Sequence, residues 1–117
     1  MRMWGVDPRI MCRQHLLGEH VEMHMLVGSL RKGISVDGFI EDGLVDLHNI
    51  RSRHDELVTE MTRRGYNHKS PLPSYLKHIR PYITKDFTGQ INIAANVQEL
   101  SRRCEACLHL QIRGGHD

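Results

Sequence analysis

The sequence predicts a mostly α protein: one compact unit of about three helices joined by long loops. Three observations carry this. Leu47, Ile50, His54, Leu57 and Met61 step by three and four residues, the spacing of one helical face. Ile93, Val97, Leu100, Cys104 and Leu108 repeat the pattern. Helix punctuation flanks the stretches, with Asp7-Pro8 as a start and Gly33 and Gly65 as stops.

Each element follows in turn. Asp caps a helix and proline is tolerated where the first N–H would be unbonded anyway, so the first helix is expected to run from Asp7-Pro8 to about Lys32. Gly18 and Gly28 weaken it and mark close approach of another backbone or a ligand. Residues 33–43 contain three glycines and read as a connection. The second helix is expected from about Val45 to Arg64, with Gly65 as its C-cap. Residues 66–90 hold Pro71, Pro73 and Pro81 and read as irregular, with one short helix around Tyr75–Ile79. The third helix begins near Asn92 or Ala94, and the tail is expected to be loose.

A chain of 117 residues, 39% apolar and 26% charged, is expected to be a single domain over 1–117. No apolar run is long enough for a membrane span or a signal peptide. Three cysteines, an odd number, fit a reduced, cytoplasmic protein better than a disulfide scaffold. The net charge of +2 hides an asymmetry: residues 1–61 carry a balance of −3 and residues 62–117 a balance of +5. A basic half beside an acidic half suits a polyanion surface next to carboxylate chemistry, although solvated faces are the commoner cause.

Three constellations stand out. His15, Glu19 and Glu22 lie within about 60° of one another on a helix, a row that amphipathic helices normally turn to water. His20 and His24 have the i,i+4 spacing of paired metal ligands, yet the H-E-x-x-H pattern is absent and no third ligand stands at a diagnostic spacing. Cys104 and Cys107 form half of a zinc-ribbon pattern that only Cys12, His109 or His116 could complete. Core packing is the expected role of these cysteines and of His54, and neither a metal nor another cofactor is expected.

Q-H-L-L-G-E-H-V-E-M at 14–23, G-S-L-R-K at 28–32 and R-R-G-Y-N-H-K-S-P-L at 63–72 are more specific. Together they resemble the pyrimidine-dimer DNA glycosylases, the UV-specific endonuclease V family, in a short form of the phage type. The resemblance covers roughly residues 1–72. It implies a glycosylase with abasic-site lyase activity whose nucleophile is an N-terminal α-amine. In the family that amine lies thirteen positions before the Gln of Q-H-L, which here is Met1, and Arg2 behind it disfavours removal of the methionine. Glu22 matches the catalytic glutamate. Arg2 matches the arginine after the nucleophile and His15 the histidine of the first helix. Val21 and Met25 stand where further arginines occur in the family.

The resemblance explains the choice of groups. An α-amine, with a pKa near 8, is roughly a few hundredfold richer in its neutral form than a lysine at neutral pH. It can attack C1′, expel the base and leave an imine. Glu22 would stabilise the cationic sugar and move the proton for β-elimination. Arg2, His15, Arg31, Lys32, Arg63, Arg64 and Lys69 are the expected DNA contacts. The expected partner is double-stranded DNA containing UV lesions (cyclobutane pyrimidine dimers) or abasic sites, bound by a monomer, with no membrane. Two other classes remain open: a non-catalytic DNA-binding protein on this scaffold, and a metal-dependent or zinc-binding module.

Overall fold

The first helix starts later than Asp7-Pro8 predicts. In the computed structural model, which describes residues 1–113, Asp7 does cap a helix, accepting from Arg9 N–H at 3.0 Å, but that helix is a single 3-10 turn over Pro8–Ile10. The chain then extends through Met11 and Cys12 before α1 (Arg13–Arg31) begins. A short α2 (Asp37–Glu41) interrupts the expected connection, and a 3-10 turn at Leu47–Asn49 leads into α3 (Ile50–Arg63). The short helix anticipated at Tyr75–Ile79 becomes α4 (Leu76–Thr84), continuing through the exposed Pro81. The third predicted helix divides into α5 (Ile93–Arg103) and α6 (Glu105–Ile112). The architecture is mostly α as expected, with six α-helices rather than about three and no strand among the described residues. None of these helices is long and apolar enough to cross a membrane. Residues 114–117, most of the tail expected to be loose, lie outside the described residues.

Both predicted glycine stops hold. Gly33 and Gly65 adopt φ of +73° and +85°. After Gly65, Tyr66 N–H reaches back to Met61 O at 2.8 Å and Gly65 N–H to Thr62 O at 3.0 Å, the paired bonds of a Schellman cap. Gly18 and Gly28 are different: a Cβ at either would meet nothing within 4 Å, so neither marks a close approach. That role falls to Gly89, where a Cβ would stand 2.2 Å from Val45 O.

The core forms where α1 packs on α3. From α1 come Leu16, Met23, Leu26, Val27 and Leu30, and from α3 Ile50, Leu57 and Met61. Leu47, Ile50, His54, Leu57 and Met61 are all buried, as their spacing predicts. The C-terminal stripe holds only in part. Leu100 is buried, but Ile93, at the first position of α5, is exposed, and so is Leu108, because the chain breaks at Cys104 and α6 starts on a new phase.

The buried stripe of α1 also contains a carboxylate. Glu19 is fully enclosed and receives Arg53 Nε and Nη2 at 2.7 and 2.8 Å. Arg53 also donates Nη1 to Val6 O at 2.7 Å. About three turns further on, Arg64, the C-cap of α3, donates to Pro8 O at 3.1 Å, to Met11 O at 2.7 Å and to Glu60 at 2.7 Å. Two arginines, one within α3 and one at its C-cap, therefore hold three carbonyls of the N-terminal segment, fixing it against α1. Removing one member of a buried ion pair strands the other charge in a dry interior. Arg53→Met should accordingly cost about 3–5 kcal/mol in chemical denaturation. A loss below about 1 kcal/mol, the scale of a surface pair, would show that Glu19 is solvated.

Candidate active site

The extended N-terminal segment is tied down residue by residue. Met3 N–H donates to Leu44 O at 2.7 Å, and the side chains of Met3 and Trp4 are buried. This brings the chain start to the edge of α1 that carries Glu22, one turn beyond the buried Glu19. Glu22 is half-buried, and the Arg2 backbone N–H donates to its carboxylate. Burial raises the Glu22 pKa above the usual carboxylate value. The Met1 ammonium, the Arg2 N–H and the Arg2 guanidinium pull it back, and the charge of Glu19 adds to the rise. Glu22 thus lies within electrostatic reach of the N-terminal amine, and a carboxylate and an amine so placed can act as acid and base.

Arg2 is positioned by Trp4 of the same segment and by groups from α5. Its guanidinium stacks over the Trp4 ring at 4.0 Å and donates Nη2 to Asn96 Oδ1 at 2.7 Å. Asn96, buried on α5, donates in turn to Trp4 O at 2.7 Å. Arg103 lies over the same indole at 5.8 Å. Arg102 and Arg103 hydrogen-bond Glu99, holding its carboxyl down to about 2. Among the described residues, Arg2 Nε is buried without a partner.

Two further clusters flank α1. His15, half-buried, meets the Trp4 ring edge-on at 6.1 Å and points its Nδ1 at Cys12 Sγ (3.3 Å) and Cys107 Sγ (3.6 Å). Cys104 Sγ completes the group, 3.8 Å from Cys12 Sγ. On the opposite edge, His20 and His24 meet His54 of α3 and His68 of the following loop. Ring centroids there lie 4.8–5.4 Å apart. Burial and the neighbouring imidazoles push His20 down to about 4, so its ring is neutral at pH 7.

Comparison with known proteins gives one result: residues 1–74 match the family model for pyrimidine dimer DNA glycosylase. The chain belongs to the pyrimidine dimer DNA glycosylase family. That match covers the N-terminal segment, α1, α2, α3 and the loop containing His68. No curated protein and no solved structure matches the chain significantly. A glycosylase of this family acts on UV-damaged DNA, so the DNA partner expected from the sequence stands.

The residues singled out from the glycosylase resemblance are dispersed. Met1, Arg2 and Glu22 come together. His15 belongs instead to the cysteine cluster. Arg63 and Arg64 both pair with Glu60, and Arg64 is further committed to backbone carbonyls. Arg31 donates to Ser74 O. Lys32 and Lys69 are exposed, as are Val21 and Met25.

Several expectations need correction. The His15–Glu19–Glu22 row does not face water, because Glu19 sits inside the buried stripe of α1. His54 is buried but not satisfied, since its Nε2 lacks a partner among the described residues. His109 does not join the CxxC. Its ring is exposed and lies 3.7 Å from Glu105, while His116 lies outside the described residues. Trp4, Asn96 and Arg103 were missed altogether. Only the single tryptophan offered a sequence signal, because α5 reaches the site through tertiary packing. Asn96→Ala would leave the Arg2 guanidinium and Trp4 O without their buried partner, and should cost about 1–3 kcal/mol of stability by thermal or chemical denaturation. A change near zero would mean that water replaces the amide.

Proposed function

We propose that this 117-residue chain, acting as one domain, is a DNA glycosylase and abasic-site lyase for duplex DNA carrying cyclobutane pyrimidine dimers. The observation that carries this reading is the partly buried Glu22 carboxylate within electrostatic reach of the Met1 amine, at the two positions to which the family resemblance assigns the chemistry. The neutral amine attacks C1′ of the damaged nucleotide, and the glycosidic C1′–N bond breaks with its electron pair leaving on the base. Ring opening gives an imine between C1′ and the Met1 nitrogen. Glu22 as carboxylate supports the cationic sugar, then takes a proton from C2′, and the electrons expel the 3′ phosphate in β-elimination. Arg2, adjacent to Met1 in the chain and with its guanidinium held by Asn96 and the Trp4 ring, supports the reading as a candidate phosphate donor.

Borohydride reduction of untagged protein mixed with UV-irradiated or abasic duplex should trap a covalent adduct mapping to Met1 on both. Glu22→Gln should keep DNA binding and lower strand cleavage by at least about a hundredfold, the range of a lost general base. Trapping on the abasic duplex alone would keep the lyase and remove the dimer as substrate. With an unblocked N-terminus and no adduct on either, the chain is a binding protein on this scaffold.

A further inference from the structure

We propose that Cys12, His15, Cys104 and Cys107 hold one tetrahedral zinc ion. The geometry is reciprocal. Cys12 is the N-cap of α1 and His15 its third residue, while Cys104 is the N-cap of α6 and Cys107 its third residue. Two helix N-termini thus each present a C-x-x-C or C-x-x-H pair to one point. A tetrahedral ion with Zn–S near 2.3 Å and Zn–N near 2.0–2.1 Å sets its ligand atoms about 3.8 Å apart for two sulfurs and about 3.5 Å for sulfur and nitrogen. The observed separations are 3.8 Å between Cys12 and Cys104, and 3.3 and 3.6 Å from His15 Nδ1 to Cys12 and Cys107. They are too short to enclose a multi-iron cluster. Thiols are weak hydrogen-bond donors and give little reason for three sulfurs and an imidazole nitrogen to converge. Backbone N–H groups also aim at the sulfurs, Cys12 to Cys107 Sγ at 3.1 Å and Cys107 to Cys104 Sγ at 3.5 Å, as outer partners of thiolate ligands do.

The ion would staple α6 to the start of α1, behind the Trp4 ring on which Arg2 rests. Protein purified without chelator should carry stoichiometric zinc. Replacement by cobalt(II) should give a thiolate-to-cobalt charge-transfer band with intense visible d–d transitions, lost in Cys107→Ser. Alkylation of the native protein needs no variant: all three cysteines should react at least about tenfold faster once chelator is added, because a metal-bound thiolate is shielded from the reagent. Cysteines reacting at one rate with and without chelator, and no charge-transfer band, would overturn the site.

A different observation carries a second cation site, and we infer one at His20, His24, His54 and His68. All four Nε2 atoms are buried and, among the described residues, without a partner. Each of these residues offers a ligand nitrogen within 4.8 Å of the other three. Four buried, unpartnered imidazole nitrogens so close together are costly unless something between them satisfies them. Two of the four rings are engaged on their other side, as a metal-bound histidine's is: the His24 ring hydrogen-bonds the Ser70 backbone, and His54 Nδ1 lies 3.3 Å from Asp55 Oδ1. Neutral imidazoles suit a first-row divalent ion such as zinc. X-ray absorption on zinc-loaded wild type discriminates without a variant. With both sites filled, the averaged shell contains more nitrogen than sulfur. A sulfur-dominated shell would overturn the histidine site, and a shell with no sulfur would overturn the cysteine site.

Discussion

The Arg53–Glu19 pair is the interaction on which the remainder of the molecule rests. A carboxylate inside the α1–α3 interface is tolerable only with its charge fully answered, and Arg53 answers it with two hydrogen bonds at 2.7 and 2.8 Å. The same guanidinium then binds Val6 O. One side chain therefore sets the spacing of three pieces: α1, α3 and the N-terminal segment. Glu22 follows Glu19 by three residues, so the distance between Glu22 and the chain start is inherited from that buried pair.

Helix α1 presents the candidate functional groups along its two edges. Its buried stripe covers about 120° of the helix, and the groups flanking it emerge half-buried, where water is scarce but a reactant can reach. His15 and Glu22 occupy one edge and His24 the other, with His20 just inside. The two proposed ions would each join α1 to another element, α6 at its start and α3 with the following loop along its length. For a protein of this size such cross-links supplement a modest core.

The family match ends at residue 74, yet the neighbourhood of Glu22 does not. Asn96 and Arg103 of α5 fix the Trp4–Arg2 stack, and α6 supplies two of the four ligands proposed around His15. The C-terminal third thus backs a site whose proposed reacting groups all come from the N-terminal segment and α1. The basic excess of the second half is partly spent internally, since Arg63 and Arg64 neutralise Glu60, and Arg102 and Arg103 neutralise Glu99.

What the sequence determined by itself is what depends on near neighbours along the chain. The helical class, the apolar face of α3, the glycine stops at Gly33 and Gly65 and the cap at Asn92 follow from three- and four-residue spacing and local hydrogen bonds. The motif register also picked out Met1, Arg2 and Glu22 as the proposed reacting group of residues, ahead of any knowledge of how the chain folds. Tertiary structure alone decided where the helices break and which polar residues go inside. No glycine or proline marks the breaks at Cys12 and Cys104, where each chain turns extended and the Sγ atoms meet across 92 residues. Glu19 reads as solvated until Arg53 is found opposite it, and His20 and His24 lack further ligands until His54 and His68 arrive from elsewhere in the chain. Burying charge and assembling ligands both require partners that only folding brings within reach, so no local pattern can announce them.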